Sequence, residues 1–511
     1  MRVAVLGSGP VGQTAALLLA RRGVPVVLVD ECEGRDPVGS KAICHQRDTL
    51  DVWASLGAGC LAREGLTWTT ARTFHHDREL FSLTLPDAGS ALPPFVNLSQ
   101  ARVEEVLDEL IAREPLIDVR RGHRITGLTQ SGGVEIRCET RAGPRRIEAG
   151  YAIACTGAHG DVVRRALGQH LEGVSFRDLF LICDIRADLP GWAAERRFWF
   201  DPPWNPGRQV LIHPCPGSQF RIDWQVPEDY DLAAEESGGA LGHRIRAIIG
   251  DRPYEVVWRS VYRFHTRLVD RMRVGRVLLA GDCAHLVAPF GARGLNSGVA
   301  DAENAAWKLA AVLRGDAGEE LLESYHTERH AAAVENAAVT TATMDFLVPR
   351  DDERRRHRLD VLTRAAHDPA AGEQVDSGRL AEPFWYVDSP LTTPDPERPF
   401  AGRPPRGALP PPGPGVLLPD VTVASGRLRD LARQGFLLLT TPGVRAEGVR
   451  SVEIPLGGAL GARPGEAWLV RPDAYVAAVL RVGDQRAHLV PGVRGVTRIV
   501  DDVGDRAHTA E

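Results

Sequence analysis

Two glycine-rich segments, far apart in the chain, hold the residues whose types and spacing could do chemistry. The first, Gly7-Ser8-Gly9-Pro10-Val11-Gly12, follows the apolar run Val3–Leu6. A strand that ends in this spacing and opens a helix is a phosphate cradle. Gly7 permits the tight turn, Gly9 lets the backbone approach a pyrophosphate, and Gly12 lets helix and strand pack closely. The N–H groups and dipole of the helix N-terminus then favour negative charge. Asp30, followed by Glu31, ends the next strand. A carboxylate there accepts hydrogen bonds from both ribose hydroxyls and repels a 2′-phosphate. This motif alone does not separate FAD from NAD. The second segment is Gly281-Asp282-Cys283-Ala284-His285, followed by Pro289-Phe290-Gly291-Ala292-Arg293-Gly294-Leu295-Asn296.

The elements that must position these residues follow from apolar periodicity. Arg2–Leu6, an Ala/Leu-rich helix over Val11–Arg22 stopped at Gly23, and Pro25–Asp30 make a βαβ unit. Arg47–Leu56 and Ala101–Arg113 have helical spacing. A cluster of strand-like runs between about 175 and 265 predicts a mostly antiparallel sheet inserted into the nucleotide domain. Arg276–Ala280 is a buried strand running into the second glycine segment, and Gly298–Arg314 a long helix. From 383 to 418 the chain is rich in Pro, as in Pro410-Pro411-Pro412-Gly413-Pro414, which reads as a linker. Beyond it Gly435–Thr440, Val449–Pro455, Ala467–Val470 and Ala474–Leu480 predict strands of a small terminal domain. The mixed-sign run Asp351–Arg358 predicts a solvated helix face.

A chain of 511 residues supports more than one domain. Its formal net charge of −6 gives no electrostatic reason to expect nucleic acid or an anionic membrane. The eight cysteines, at 32, 44, 60, 138, 155, 183, 215 and 283, form no CxxC pair, so reduced thiols and a cytoplasmic location are expected. A chain that begins directly with a strand and its glycine turn is not expected to start with a signal peptide, and Leu17–Ala20 is too short to span a bilayer. Cys283 and His285, at i, i+2, and the scattered His45, His213 and His265 show no metal-ligand spacing, so no metal is expected.

Together the two segments resemble the FAD-dependent aromatic hydroxylases, the para-hydroxybenzoate hydroxylase group, in which both hold one flavin. In that resemblance Gly7, Gly9, Pro10, Val11, Gly12, Asp30 and Glu31 surround the dinucleotide, and Asp282, after Gly281, contacts the flavin's ribityl or ribose chain. Pro289–Asn296 passes the isoalloxazine ring. Gly291 and Gly294 would allow backbone approach, and the Leu295 and Asn296 amides would donate to its pyrimidine end. Ser40-Lys41-Ala42 stands where the family has an FAD-phosphate contact, and Lys41 keeps the charge without the bidentate fork. Arg47 lies where the family has an Arg near the flavin, and Gln100 matches a Gln on the ribityl chain. One element departs. The family's Ala-Asp-Gly-Ala-x-Ser-x-Val-Arg reads here Cys155-Thr156-Gly157-Ala158-His159-Gly160-Asp161-Val162-Val163-Arg164. Thr156 replaces an Asp linked to FAD and NAD(P)H, and Gly160 replaces a Ser.

The resemblance implies an α/β fold: a GR2-type FAD-binding Rossmann-like domain (1–175 and 271–382) with an inserted, mostly antiparallel substrate sheet (176–270), a Pro-rich linker (383–418) and a C-terminal thioredoxin-like domain (419–511). The tail resembles the phenol hydroxylase and 3-(3-hydroxyphenyl)propionate hydroxylase branch through Asp388-Ser389-Pro390-Leu391 and Leu469-Val470-Arg471-Pro472-Asp473. It lacks CxxC and would be structural. The implied reaction is hydroxylation of a phenolic or polycyclic aromatic substrate with O₂ through a flavin hydroperoxide, NADH or NADPH acting as a transient reductant. The Pro289 carbonyl would face the substrate edge. His213, Arg221, Trp224, Tyr262 and His265 are pocket candidates, with Tyr262 or His213 placed to bond a phenol oxygen. A small aromatic substrate and O₂ are the implied partners, with a homodimer as one assembly. Two other readings stay open: a flavin oxidase or reductase without oxygen insertion, and a non-enzymatic flavin-binding sensor.

Overall fold

The computed structural model describes residues 1–35, 42–84, 90–405, 408–447, 449–482 and 498–501. Lys41 lies outside them. Val3–Leu6, Val26–Val29 and Tyr151–Ala154 are apolar throughout and buried on both faces, as central strands of a parallel sheet must be. They form the middle of a six-stranded sheet in the order Arg273–Val274, Val277–Leu279, Tyr151–Ala154, Val3–Leu6, Val26–Val29, Ile117–Arg120, parallel except for the first pair. The helix Pro10–Arg21 starts on Pro10, whose missing N–H costs nothing there, and buries nearly its whole length. It packs beneath the helix Arg293–Arg314, so the two glycine segments meet at one end of this sheet.

The second sheet has eight strands, ordered His285–Leu286, Tyr254–Leu268, Glu172–Ala187, Gln219–Val226, Gln209–Cys215, Glu195–Phe200, Thr70–His75 and Arg78–Thr84. All pairs are antiparallel except Glu195–Phe200 with Thr70–His75. The sheet therefore extends beyond the expected insert and takes strands from both sides of it in sequence. Its pleat sorts the residues. Phe220, Ile222, Trp224 and Val226 join Leu181, Cys183, Leu241 and Ile245 in a core on one face. Arg221, Asp223 and Gln225 alternate to the other. On that other face Phe180, Phe198, Phe200 and Phe290 form an aromatic core against Met344 and Leu347 of the helix Glu323–Leu347.

The chain after 418 builds a four-stranded sheet, Ser451–Glu453, Leu437–Thr440, Glu466–Val470, Val476–Arg481, around Leu437, Leu439, Trp468 and Val470. Each fully buried side chain of this kind contributes about 1.5–3 kcal/mol. The Pro-rich stretch corrects the linker expectation. It has little regular structure, yet Trp385, Tyr386, Leu391, Val416 and Leu418 are buried, because the stretch lies between the tail and the helices beneath it. The mixed-sign run falls in the helix Asp352–Ala365 and is mostly exposed. Arg358 is the exception, buried and paired with Asp201 at 2.8 Å.

Candidate active site

The first glycine turn is sterically closed around itself. Gly7 has φ +102°, and a Cβ there would lie 2.4 Å from the Cys155 carbonyl oxygen. A Cβ on Gly12 would lie 1.9 Å from the Gly7 oxygen. At Gly9 nothing lies within 4 Å of that position, so its outer side is open to a ligand. No side chain caps the helix it starts. Asp30 Oδ2 accepts from Ser8 N at 2.6 Å and Oδ1 from Cys32 N at 2.8 Å, which brings the carboxylate to the rim of the turn. Glu31 beside it is exposed. Arg35, which sequence reasoning passed over, donates to Ser8 O at 2.6 Å and pairs with Glu104 and Asp108, placing a cation at the same rim. A lone Arg five residues after Asp30 gave no pattern to find it by.

The second element locks onto the first through one side chain. Val11 Cγ2 lies 3.1 Å from the Cβ position of Gly281 and 2.6 Å from that of Gly298. Any larger residue at 298 would push the two helices apart. Asp282 and Pro289 are exposed at this junction, and Gly294 and Leu295 partly so. The helix Arg293–Arg314 begins without a side-chain cap after Ala292, which sits in the left-handed region at φ 56°. Its first-turn amides, including those of Leu295 and Asn296, therefore end at the junction. The Asn296 side chain accepts from Gln46 N at 3.1 Å and donates to Cys44 O at 3.1 Å, tying the loop to the strand before Arg47. Arg47 Nε donates to Leu92 O at 2.9 Å. Gln100 accepts from Ala42 N at 3.2 Å and donates to Glu104 at 2.8 Å.

Gly291 has a different role from the expected one. Its φ is +95°, and a Cβ would lie 2.0 Å from the Arg379 carbonyl oxygen. The backbone it admits is that of residues 379–381, held by Ala381 N donating to Gly291 O at 2.7 Å. Arg293, also missed, is buried here. It donates to Asn336 at 2.7 Å and to the Arg379 and Leu380 carbonyls at 3.2 Å, and burial lowers its pKa to about 10. Thr156 follows the strand Tyr151–Ala154, and its hydroxyl donates to Cys283 Sγ at 3.1 Å. Gly157, next to it, is open, with nothing within 4 Å of a Cβ. Arg164 braces the element through the Cys283 and Ala158 carbonyls.

The pocket candidates divide between the faces of the large sheet. His213, opposite Arg221, and Tyr262, opposite Phe180, share the face toward the flavin elements. Trp224 does not. It is fully buried in the core on the opposite face, one residue out of phase with Arg221. His265 also turns away, next to Phe264 in the strand, and its Nδ1 lies 2.9 Å from Ser175 Oγ. The strand period of two alone separates both from the others. Arg221 forks onto Asp184 at 2.7 and 2.8 Å. His213 is half-buried, with its Nδ1 buried and without a hydrogen-bond partner, and burial first, then Arg196 and Arg221, push its pKa well below the ordinary value and keep it neutral. Asp223 was missed. It alternates with Arg221, its Oδ1 is buried without a hydrogen-bond partner, and burial raises its pKa to about 7 against the pull of Arg221 and Arg196. Next to this face a mostly apolar cavity of about 270 Å³ opens between Arg47, Thr73, Arg196, Leu380, Trp385 and Leu417.

Two uncapped helix N-termini, the open face of Gly9 and an exposed carboxylate at Asp282, converging on one junction, define a dinucleotide flavoprotein site, and these residues fit FAD. The chain belongs to the FAD binding domain family, whose profile matches residues 1–340. It is 30% identical over 407 residues to a flavin-dependent monooxygenase of Mycobacteroides abscessus, covering 74% of this chain and 82% of that one. It is 31% identical over 361 residues to a 3-(3-hydroxy-phenyl)propionate/3-hydroxycinnamic acid hydroxylase of Mycobacterium sp. strain KMS, covering 69% of this chain and 60% of that protein's length. The fold is that of the flavin-dependent monooxygenase PieE, solved with FAD and substrate, at TM-score 0.79 and 24% identity over 94% of this chain and 96% of that one. Among the described residues no helix is long and apolar enough to cross a membrane.

Proposed function

We propose that the protein is an FAD-dependent monooxygenase that hydroxylates an aromatic, phenolic or polycyclic substrate with O₂ and NADH or NADPH. The observation that carries this reading is the interlock of Val11 with Gly281 and Gly298, which makes one cofactor seat from two distant segments. Relatives named as monooxygenases and hydroxylases, among them a probable NADH-specific resorcinol 4-hydroxylase of Rhodococcus jostii, favour oxygen insertion over a simple oxidase, a reductase or a sensor.

When bound, FAD supplies the redox and oxygen chemistry. The chain supplies position, polarity and exclusion of water. Asp30 would hold the ribose and the Gly9 turn the pyrophosphate, with Gln100 along the ribityl chain and Asp282 on the ribityl or ribose chain. The amides of Leu295 and Asn296 and the dipole of the helix Arg293–Arg314 stabilise negative charge at the pyrimidine end. Pro289 and the aromatic wall of Phe180 and Phe290 border the substrate. His213, neutral in the resting protein, or Tyr262 would bond the phenol oxygen, and Arg196 would offset the charge of a phenolate, Arg221 being paired with Asp184. The cavity beside Arg47, lined by Thr73, Phe95 and Arg196 but not by Pro289, His213 or Tyr262, would admit a ring system bigger than one phenol. Residues 419–511 are read as a thioredoxin-like domain of structural role. A cytoplasmic location, where reduced nicotinamide is available, and a homodimer as one assembly belong to the same reading.

The test is direct. The purified protein should be yellow, release FAD rather than FMN on denaturation, and incorporate one atom of ¹⁸O₂ into a phenol or naphthol from a panel while oxidising NADH or NADPH. Nicotinamide oxidation that yields only hydrogen peroxide with every aromatic tested would instead select the oxidase reading.

A further inference from the structure

The second flavin element is held from behind by a buried chain of polar groups that ends outside the nucleotide-binding fold. Asp301, fully buried on the helix Arg293–Arg314, uses Oδ2 to accept from Gly281 N at 2.9 Å and to meet His285 Nε2 at 2.7 Å. Its other oxygen accepts from Arg329 Nε at 2.7 Å. Burial opposes the charge on Asp301, but Arg329 and His285 outweigh it and hold the carboxyl near a pKa of about 2. Arg329 also grips the Ser297 carbonyl at 3.2 Å and its hydroxyl at 3.1 Å. One guanidinium thus ties the Gly281-Asp282 turn to the first turn of the helix that presents Leu295 and Asn296.

The remaining arm of that guanidinium leaves the fold. Arg329 Nη1 donates to Tyr386 Oη at 2.8 Å. Tyr386 belongs to the Pro-rich stretch and is clamped by the tail. The Tyr475 ring lies 4.4 Å away and the Arg471 guanidinium 4.9 Å over its face. Arg471 in turn forks onto Glu328, the residue before Arg329, at 2.6 and 2.9 Å.

Building on the flavin reading above, we propose that Tyr386 is a positioning residue for FAD: through Arg329 and Asp301 it sets the Gly281 amide and hence the reach of Asp282, making the C-terminal region part of the cofactor seat. The physical reason is the burial of every member. An Arg329 arm left unmet must find another acceptor, from a neighbouring side chain or from a water in the small cavity that Arg329 and Tyr386 both line. Its neighbours are the groups that orient the flavin turn.

The test compares two tail contacts at one interface. Tyr386→Phe keeps the ring contacts and deletes only the hydroxyl. Ser389→Ala removes a hydrogen bond to Glu328, on the clamp around Tyr386, and leaves the Tyr386–Arg329–Asp301 bonds themselves in place. Apoprotein titrated with FAD, read by flavin fluorescence, should show the dissociation constant rise about five- to ten-fold in Tyr386→Phe, less than the loss of a charge-assisted bond made directly to the cofactor because the effect is relayed, with a displaced visible spectrum of the bound flavin. Ser389→Ala should stay within about two-fold of wild type, although both variants lower the melting temperature. Asp301→Asn should weaken FAD more than either. Wild-type affinity and spectrum in Tyr386→Phe would overturn the proposal, as would equal weakening in Ser389→Ala, which would reduce the contact to general stability. A wild-type protein that binds no FAD would overturn the flavin reading itself.

Discussion

A Cβ on residue 160 would lie 2.0 Å from Thr156 Oγ1. Thr156 and Gly160, the two positions at which the sequence departs from the pattern it otherwise resembles, are therefore packed against each other. The Thr156 hydroxyl fills the space beside Gly160 and donates to Cys283 Sγ, so the pair is packed as a unit. Gly160→Ser should force Thr156 from its rotamer and cost about 1–3 kcal/mol. Combining it with Thr156→Asp should recover much of that. A thermal-denaturation double-mutant cycle checks the coupling. Additive effects would show that the two positions are independent.

Asp30→Ala and Asp282→Ala should each weaken FAD about ten- to a hundred-fold, the loss expected for charge-assisted hydrogen bonds. Asp30→Ala should also lower the melting temperature, because Ser8 N and Cys32 N lose their acceptor. Equilibrium dialysis of the holoproteins checks both. Full retention of flavin in the two variants would contradict the shared seat.

Burial lowers the pKa of His45 from 6.5 to about 4, against the bond of its Nε2 to Leu98 O at 3.0 Å. The folded protein keeps this ring neutral while the unfolded chain protonates it below about pH 6.5. Its contribution to stability is thus complete above pH 6.5 and is lost as pH falls toward 4. The melting temperature should drop across that window, and more shallowly in His45→Leu. Parallel curves for the two proteins would rule out His45 as the source.

Asp223 titrates near 7, since burial outweighs Arg221 and Arg196. Substrate-stimulated NADH oxidation should show an ionisation near this pH that disappears in Asp223→Asn. If the profile is unchanged by the substitution, the carboxyl does not face the reacting groups.

Cys283→Ser should leave flavin binding and turnover intact. The thiol is buried, its pKa is raised chiefly by that burial, and it accepts from Thr156. A buried thiol with a raised pKa is a poor nucleophile. Loss of turnover with FAD still bound would assign it a chemical role.

The sequence by itself determined the local geometry of the cofactor seat. Gly7 and Gly12 stand where a Cβ would strike backbone, and Gly281 takes a positive φ with Val11 against it, and such demands are written in residue type alone. The strand at Val3–Leu6, the helix it feeds and the helix Arg293–Arg314 follow from apolar periodicity, each within a few residues of the expected bounds. Only the tertiary structure decided which distant residues meet. Strand alternation is readable and already sets Trp224 apart from Arg221 and His265 from Tyr262, but which parity faces the flavin depends on pairing partners, so only the structure put Trp224 and His265 on the far face and brought in Asp223. Gly291 was read as room for a ring because the returning segment at Arg379 is remote in sequence. The Pro-rich stretch was read as a linker because composition reports backbone stiffness and not burial. Tyr386 at its start is buried against Arg329, a contact that exists only once the tail has packed on the helix Glu323–Leu347.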